Sequence, residues 1–194
     1  SKFKVKEEIE VFTTRPDTIF GATFMVLAPE HPLILDVVNE DYRNRVEEYV
    51  NSVKNKSDRE RQANIGNNIT GQFAGIYVEH PFTGKDLPVW ISEYVLYNYG
   101  TGAIMAVPAH DSRDYCFAKK FGLPIIEVVD GGNIEKEAYE VKTGKLINSD
   151  FINGMTVKEA IEEVIKEVEK RNIGEKRVNY RMRDAIFSRQ RYWG

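Results

Sequence analysis

Three short segments concentrate the side chains that do chemistry. In Thr13-Thr14-Arg15-Pro16-Asp17-Thr18, three hydroxyls, a guanidinium and a carboxylate fall within six residues. Pro16 fixes φ and suits the first position of a helical turn, and it pushes Arg15 towards an extended backbone. Such a junction can aim hydroxyls and exposed N–H groups at a polar ligand. The plainer reading is a strand-to-turn junction, with Thr favoured for β propensity and Asp for capping. The second segment, YGTGAIMAVPAHDSRD, runs from Tyr99 to Asp114. Two glycines around Thr101 let backbone approach a ligand closely. The Gly-Lys-Ser/Thr ending of a phosphate loop is missing, and the spacing does not fit a dinucleotide fingerprint. Asp111 and Asp114 are three apart and share one helix face. They suit a substrate ammonium or an ordered water. They equally suit helix capping, with Asp111 as N-cap and Asp114 in the first turn. The third segment joins Tyr180-Arg181-Met182-Arg183-Asp184 to Ser188-Arg189-Gln190-Arg191-Tyr192-Trp193-Gly194. Basic and aromatic residues interleave there, as in nucleic-acid contacts or in a strand that docks on another domain.

The remaining reactive side chains are scattered. No nucleophile-elbow serine accompanies His110 and no HExxH run occurs, so His110 reads as a turn or surface histidine. His31, His80, His110 and Cys116 are too dispersed for a zinc site. Cys116 falls mid-helix in the reading below and suits a small buried hydrophobe better than a nucleophile.

The elements that must hold these segments read as mixed α and β. Residues 8–14 alternate as a strand and end in the turn Arg15-Pro16-Asp17. Residues 23–28, 73–79, 87–92, 103–107 and 123–129 are further short strands. Helical spacing marks 41–54 and 111–121, the latter stopped by Gly122. The helix over 156–171 carries a capping box, Thr156 with Glu159, and one apolar stripe of Val157, Ala160, Ile161, Val164, Ile165 and Val168. Many short strands with glycine turns point to an α+β fold, mainly β, with a barrel-like β core and flanking helices.

Composition narrows the class. The chain has 194 residues, 42% hydrophobic and 29% charged, which fits a globular chain of one domain with a small appendage. A single cysteine excludes an internal disulfide framework and fits a reducing compartment. No apolar run is long enough for a membrane span, and the charged start SKFKVKEEIEVF shows no signal peptide. The net charge of −3 argues against a nucleic-acid partner until its placement is considered. Residues 179–194 hold four arginines against Asp184, a net of +3, which leaves −6 on residues 1–178.

Taken together, TTRPDTIFGATF, YGTGAIMAVPAHDSRDYCFAKKFGLPI and YRMRDAIFSRQRYWG closely resemble the editing domain inserted into the class I catalytic core of leucyl-tRNA synthetase. The order and spacing fit over nearly the whole chain. Synthetases for isoleucine and valine share the threonine-rich and GTG segments, but the AVPAHDSRD run resembles the leucine enzyme. The HIGH and KMSKS signatures that bind ATP in that class do not occur in this sequence. The resemblance therefore implies an editing domain over 1–178 and a return segment, 179–194, leading towards a synthetic core outside this chain. Ala185-Ile186 stands where the family commonly has Trp-Gly.

The resemblance implies hydrolysis of the ester joining a wrong amino acid, such as isoleucine, norvaline or methionine, to the 3′ end of leucine tRNA. The alternatives are editing for isoleucine or valine tRNA, a non-catalytic tRNA-positioning module, and an inactive structural insert. By motif position, Asp114 would pair with the substrate ammonium. Thr18 would be the wall that excludes leucine. Thr13 and Thr14 would bond the ester or the attacking water. Arg15 would contact a phosphate or ribose of the terminal nucleotide. Tyr99, Met105 and Val107 would line the pocket, and Asp111 would support Asp114. No metal and no cofactor are expected for editing, ATP belonging to the synthetic core. The expected partners are the tRNA 3′ end and the rest of the synthetase, with no membrane, in the cytoplasm.

Overall fold

Phe24–Leu27 (β1) is four apolar residues in a row, and all four are buried. A strand with no polar position needs cover on both faces, which places it inside a sheet. β1 pairs in parallel with Asp86–Ile91 (β3) and antiparallel with Ala103–Ala106 (β4), and Gln72–Glu79 (β2) flanks β3. The order is therefore β2-β3-β1-β4. This computed structural model describes residues 8–63, 65, 68–98 and 100–176. The return segment expected over 179–194 lies outside the described residues, as does Tyr99.

Helices cover the sheet. Ile34–Val37 (α1), Arg43–Val53 (α2) and Asp58–Ala63 (α3) lie between β1 and β2, and Val38, Val46 and Ile34 pack on Leu27, Val89 and Ile91. Ser112–Phe121 (α4) starts at the N-cap Asp111, whose carboxylate accepts from the N–H groups of Arg113 and Asp114. It ends at Gly122, whose φ of +65° is the left-handed conformation a glycine adopts without penalty. Phe117 and Ala118 of α4 are completely buried against Phe24 and Tyr94. Val157–Lys170 (α5) has its expected capping box, with Thr156 and Glu159 each bonded to the other's backbone N–H. Val157, Ala160 and Val164 of α5 form one core with Ile19 and Phe20 of the 3-10 turn Pro16–Gly21. The helix thus supports the threonine-rich segment from behind.

The fold is α+β, but two expected strands do not form, and the barrel fails with them. Residues 8–14 join no strand, although Ile9 and Val11 pack on the core beside α2 as their alternation requires. The Glu10 carbonyl is taken instead by the Thr101 hydroxyl, 2.6 Å away. Residues 123–129 contribute only the isolated bridge Val129 to Leu146. Without those two ladders the sheet stays open, with β2 and β4 at its edges. Among the described residues α-helix outweighs strand, so the expected predominance of β is also corrected. No helix among the described residues is long and apolar enough to cross a membrane.

Candidate functional site

The threonine-rich segment is folded by its own polar groups. Thr13 Oγ1 accepts from the Arg15 N–H at 3.0 Å, closing a two-residue turn ahead of Pro16. Thr18 donates its hydroxyl to the Arg15 carbonyl at 2.9 Å, which fixes χ1 and with it the direction of its methyl. Thr18 is buried, whereas Thr13 and Thr14 are exposed. Asp17 is completely buried and takes the Arg15 guanidinium on both oxygens, Nε to Oδ1 at 3.0 Å and Nη2 to Oδ2 at 2.8 Å. One edge of the Arg15 guanidinium is therefore committed inside the protein, and its direction is set.

The glycine-rich segment closes on the same region. Thr101 holds the Glu10 carbonyl, and Gly100 has φ +67° with Phe12 alongside. A Cβ at Gly100 would sit 2.8 Å from the Phe12 Cβ, so only glycine lets the approach to Thr13 pass here. Further on, the Thr23 N–H bonds the Ala106 carbonyl, and Ala22, Met105 and Val107 share one small apolar cluster. Val107 is buried and Met105 half-buried.

Asp114 meets this cluster from the first turn of α4. Its Oδ2 accepts from the Val107 N–H at 2.8 Å and its Oδ1 from the Tyr94 hydroxyl at 2.8 Å. It is only 4% exposed. Burial, and then the neighbouring Asp111 charge, push its carboxyl up to about 7. The two hydrogen bonds and Arg113 act in the opposite direction. Arg113 is bound to Asp111, Nη2 to Oδ2 at 3.0 Å, which offsets the charge of the N-cap. Asp111 thus holds the helix start and Arg113, while Asp114 faces inward.

His110 sits in a turn as expected, its N–H bonded to the Val107 carbonyl at 3.0 Å, but it is not at the surface. It is buried, and its Nε2 accepts from both the Val128 and Val129 N–H groups at 2.9 and 3.1 Å. The proton therefore sits on Nδ1 and is donated to the Tyr139 carbonyl at 2.8 Å. His80 uses the other tautomer. Its Nδ1 accepts from the Phe82 and Thr83 N–H groups, and its Nε2 donates to the Ile19 carbonyl at 2.8 Å. Burial lowers the proton affinity of both rings. Each pins a loop beside the threonine-rich turn.

The two segments adjoin at Val107: Gly21 and Ala22, which end the threonine-rich turn, lie against its side chain, and Asp114 holds its N–H. Sequence reading gave no role to Tyr94 and only a capping role to Asp17. Asp17 lay inside a motif already singled out, whereas nothing local marks Tyr94, which reaches Asp114 across 20 positions. No group of three or more His, Cys, Asp or Glu side chains among the described residues is placed to hold a metal ion.

Comparison with known proteins shows the family. Residues 1–169 match the family model described as leucyl-tRNA synthetase, editing domain. The chain is 52% identical to the leucine–tRNA ligase of Azobacteroides pseudotrichonymphae genomovar. CFP2, over 100% of this chain and 21% of that protein. It is also 52% identical to the leucine–tRNA ligase of Amoebophilus asiaticus (strain 5a2), over 96% of this chain and 20% of the relative. The chain therefore spans about a fifth of the length of these relatives. Among solved structures, the ternary complex of Agrobacterium radiobacter K84 agnB2 LeuRS-tRNA-LeuAMS is similar, with a TM-score of 0.70 and 30% identity, covering 90% of this chain and 18% of that one. With residues 1–169 matched by that family model, the chain belongs to the editing-domain family of leucyl-tRNA synthetase.

Proposed function

We propose that this domain hydrolyses the ester between a non-cognate amino acid and the 3′-terminal ribose of leucine tRNA, sparing the leucyl ester. The observation that supports the reading is that Val107 joins both segments: Asp114 accepts from its N–H, and its side chain packs with Ala22 at the end of the threonine-rich turn. A second sieve is needed because an apolar pocket separates near-isosteric amino acids by only ~1–3 kcal/mol. Isoleucine, norvaline and methionine are the substrates such a sieve must accept.

In this reading a water attacks the ester carbonyl and the bond to the ribose oxygen breaks. Free amino acid leaves, and the ribose hydroxyl is restored with a proton from the water. Asp114 receives the substrate ammonium, a charge-assisted contact that fixes the carbonyl's direction. The exposed hydroxyls of Thr13 and Thr14 bond the water or the developing oxyanion. Thr18, its methyl held by the bond to the Arg15 carbonyl, blocks the leucine branch. Arg15, anchored by Asp17, faces the terminal nucleotide, and Met105 and Val107 shape the apolar side. The partners are the 3′ end of leucine tRNA and the remainder of the synthetase. The presence of tRNA in the similar Agrobacterium complex supports this reading. A charge of −6 over residues 1–178 leaves most phosphate contacts to the rest of the enzyme.

The test is deacylation of isoleucyl- and leucyl-tRNA made on the same leucine acceptor, with the domain carried in a full-length leucine–tRNA ligase. The wild type clears the isoleucyl ester and leaves the leucyl ester. Asp114→Ala clears neither ester, and Thr18→Ala begins to hydrolyse leucyl-tRNA. If Asp114→Ala kept wild-type clearance, the assignment of the ammonium site would fail. A wild type that binds the tRNA end without hydrolysis would instead make the domain a positioning module.

A further inference from the structure

Tyr94 lies just beyond β3 and is only 2% exposed. The turn that carries it is fixed from several sides. The Ser92 N–H bonds the Leu27 carbonyl at 3.1 Å, and the Ser92 hydroxyl bonds the Thr70 carbonyl. Glu93, also buried, is paired with Lys56 at 2.9 Å and accepts from the Thr70 hydroxyl at 2.7 Å. The Tyr94 ring packs against Phe117, centroid to centroid 5.5 Å, and Phe117 lies on α4 one turn beyond Asp114. Backbone and ring are both locked, so the hydroxyl that donates to Asp114 Oδ1 is a preorganised donor.

Resting on the editing reading above, we propose that Tyr94 is a positioning residue for the reaction. Its hydroxyl holds Asp114 Oδ1 in line and keeps the carboxylate charged to receive the substrate ammonium. A carboxylate has roughly four acceptor directions, and Tyr94 and the Val107 N–H use one on each oxygen. Acceptor capacity therefore remains on both oxygens. The groups that bear on the Asp114 charge are Asp111, which opposes it, and Arg113, Tyr94 and the Val107 N–H, which favour it. Arg113 is occupied by Asp111, so Tyr94 supplies the side-chain donor that Asp114 contacts directly. With its carboxyl already pushed up to about 7, the loss of one donor changes the charged fraction at neutral pH.

Tyr94→Phe removes one oxygen and keeps the ring. The carboxyl carbon of Asp114 is followed by NMR titration of the 194-residue chain. Deacylation of isoleucyl-tRNA is measured against pH in the full-length ligase carrying the domain. The expected result is a rise of about one pH unit in the Asp114 midpoint. The acid limb of deacylation moves with it, and near pH 7 KM rises while kcat well above the limb is retained. Replacing Tyr94 by 3-fluorotyrosine, a more acidic donor of nearly the same shape, moves both midpoints the other way and decides the matter if the Phe variant does not fold. An unmoved Asp114 midpoint overturns the proposal. So does a moved midpoint with an unchanged deacylation profile. A wild type without hydrolysis would sink the editing reading, and the tie to ammonium capture with it, while the titration still showed whether Tyr94 sets the Asp114 charge.

Discussion

Asp17 shows how one buried side chain can govern an exposed one. It is fully enclosed, and its partner Arg15 remains 17% exposed at the side-chain level. The fork between them leaves the guanidinium little freedom to turn. Removing one member of a buried pair strands the other, which costs about 3 kcal/mol or more. Asp17→Ala should therefore lower stability by about that amount in urea unfolding, and deacylation should fall because Arg15 loses its aim. A variant that unfolds at the wild-type urea concentration would show that the fork contributes nothing. Asp17 could be read from the sequence as a polar residue in a turn. That it faces inward was not legible there, because its burial depends on α5 and the 3-10 turn packing together.

Elements carried in local signals were legible, and those requiring a distant partner were not. The boundaries of α4 and α5 follow from Asp111, Gly122, Thr156 and Glu159, all short-range chemistry. Residues 8–14 alternate correctly, with Ile9 and Val11 inward, yet alternation reports which face is buried and not whether a neighbouring edge is free. The Thr101 hydroxyl meets that segment in place of a strand. This makes the glycine loop a brace for the approach to Thr13. Gly100→Ala should cost about 1–2 kcal/mol from the left-handed backbone alone, with a further loss as Phe12 is displaced. Deacylation should drop more than stability, since Phe12 is next to Thr13. Equal deacylation by the Ala variant would count against the brace. On the far side, Thr156→Ala removes half of the capping box and should cost about 1 kcal/mol, read as a lowered Tm.

Across the whole molecule, buried titratable groups pull stability in opposite directions with pH. Burial lowers the proton affinity of His31, His80 and His110 below the ordinary histidine value. Their contribution is complete above about pH 6.5 and is lost as pH falls through the folded values, because a charged ring would set N–H against N–H at Val128, Val129, Phe82 and Thr83. Asp114 runs the other way. Its folded value of about 7 lies above the ordinary aspartate value of 3.8, so its contribution is complete below the latter and is lost as pH rises through about 7. Between roughly pH 4 and 7 the two trends offset one another, and the wild type should show a shallow stability profile. Asp114→Asn removes one trend and leaves the histidines. Its urea midpoint should then climb more steeply than that of the wild type as pH rises towards the ordinary histidine value of about 6.5, and level off above. The slope is the quantity to read, because the Asn amide also disturbs the acceptor opposite the Val107 N–H. Parallel profiles for the two proteins would mean that Asp114 is already charged throughout this range. Tyr94 and Val107 would then outweigh its burial, and the site would hold a fixed anion at every pH at which the domain is folded.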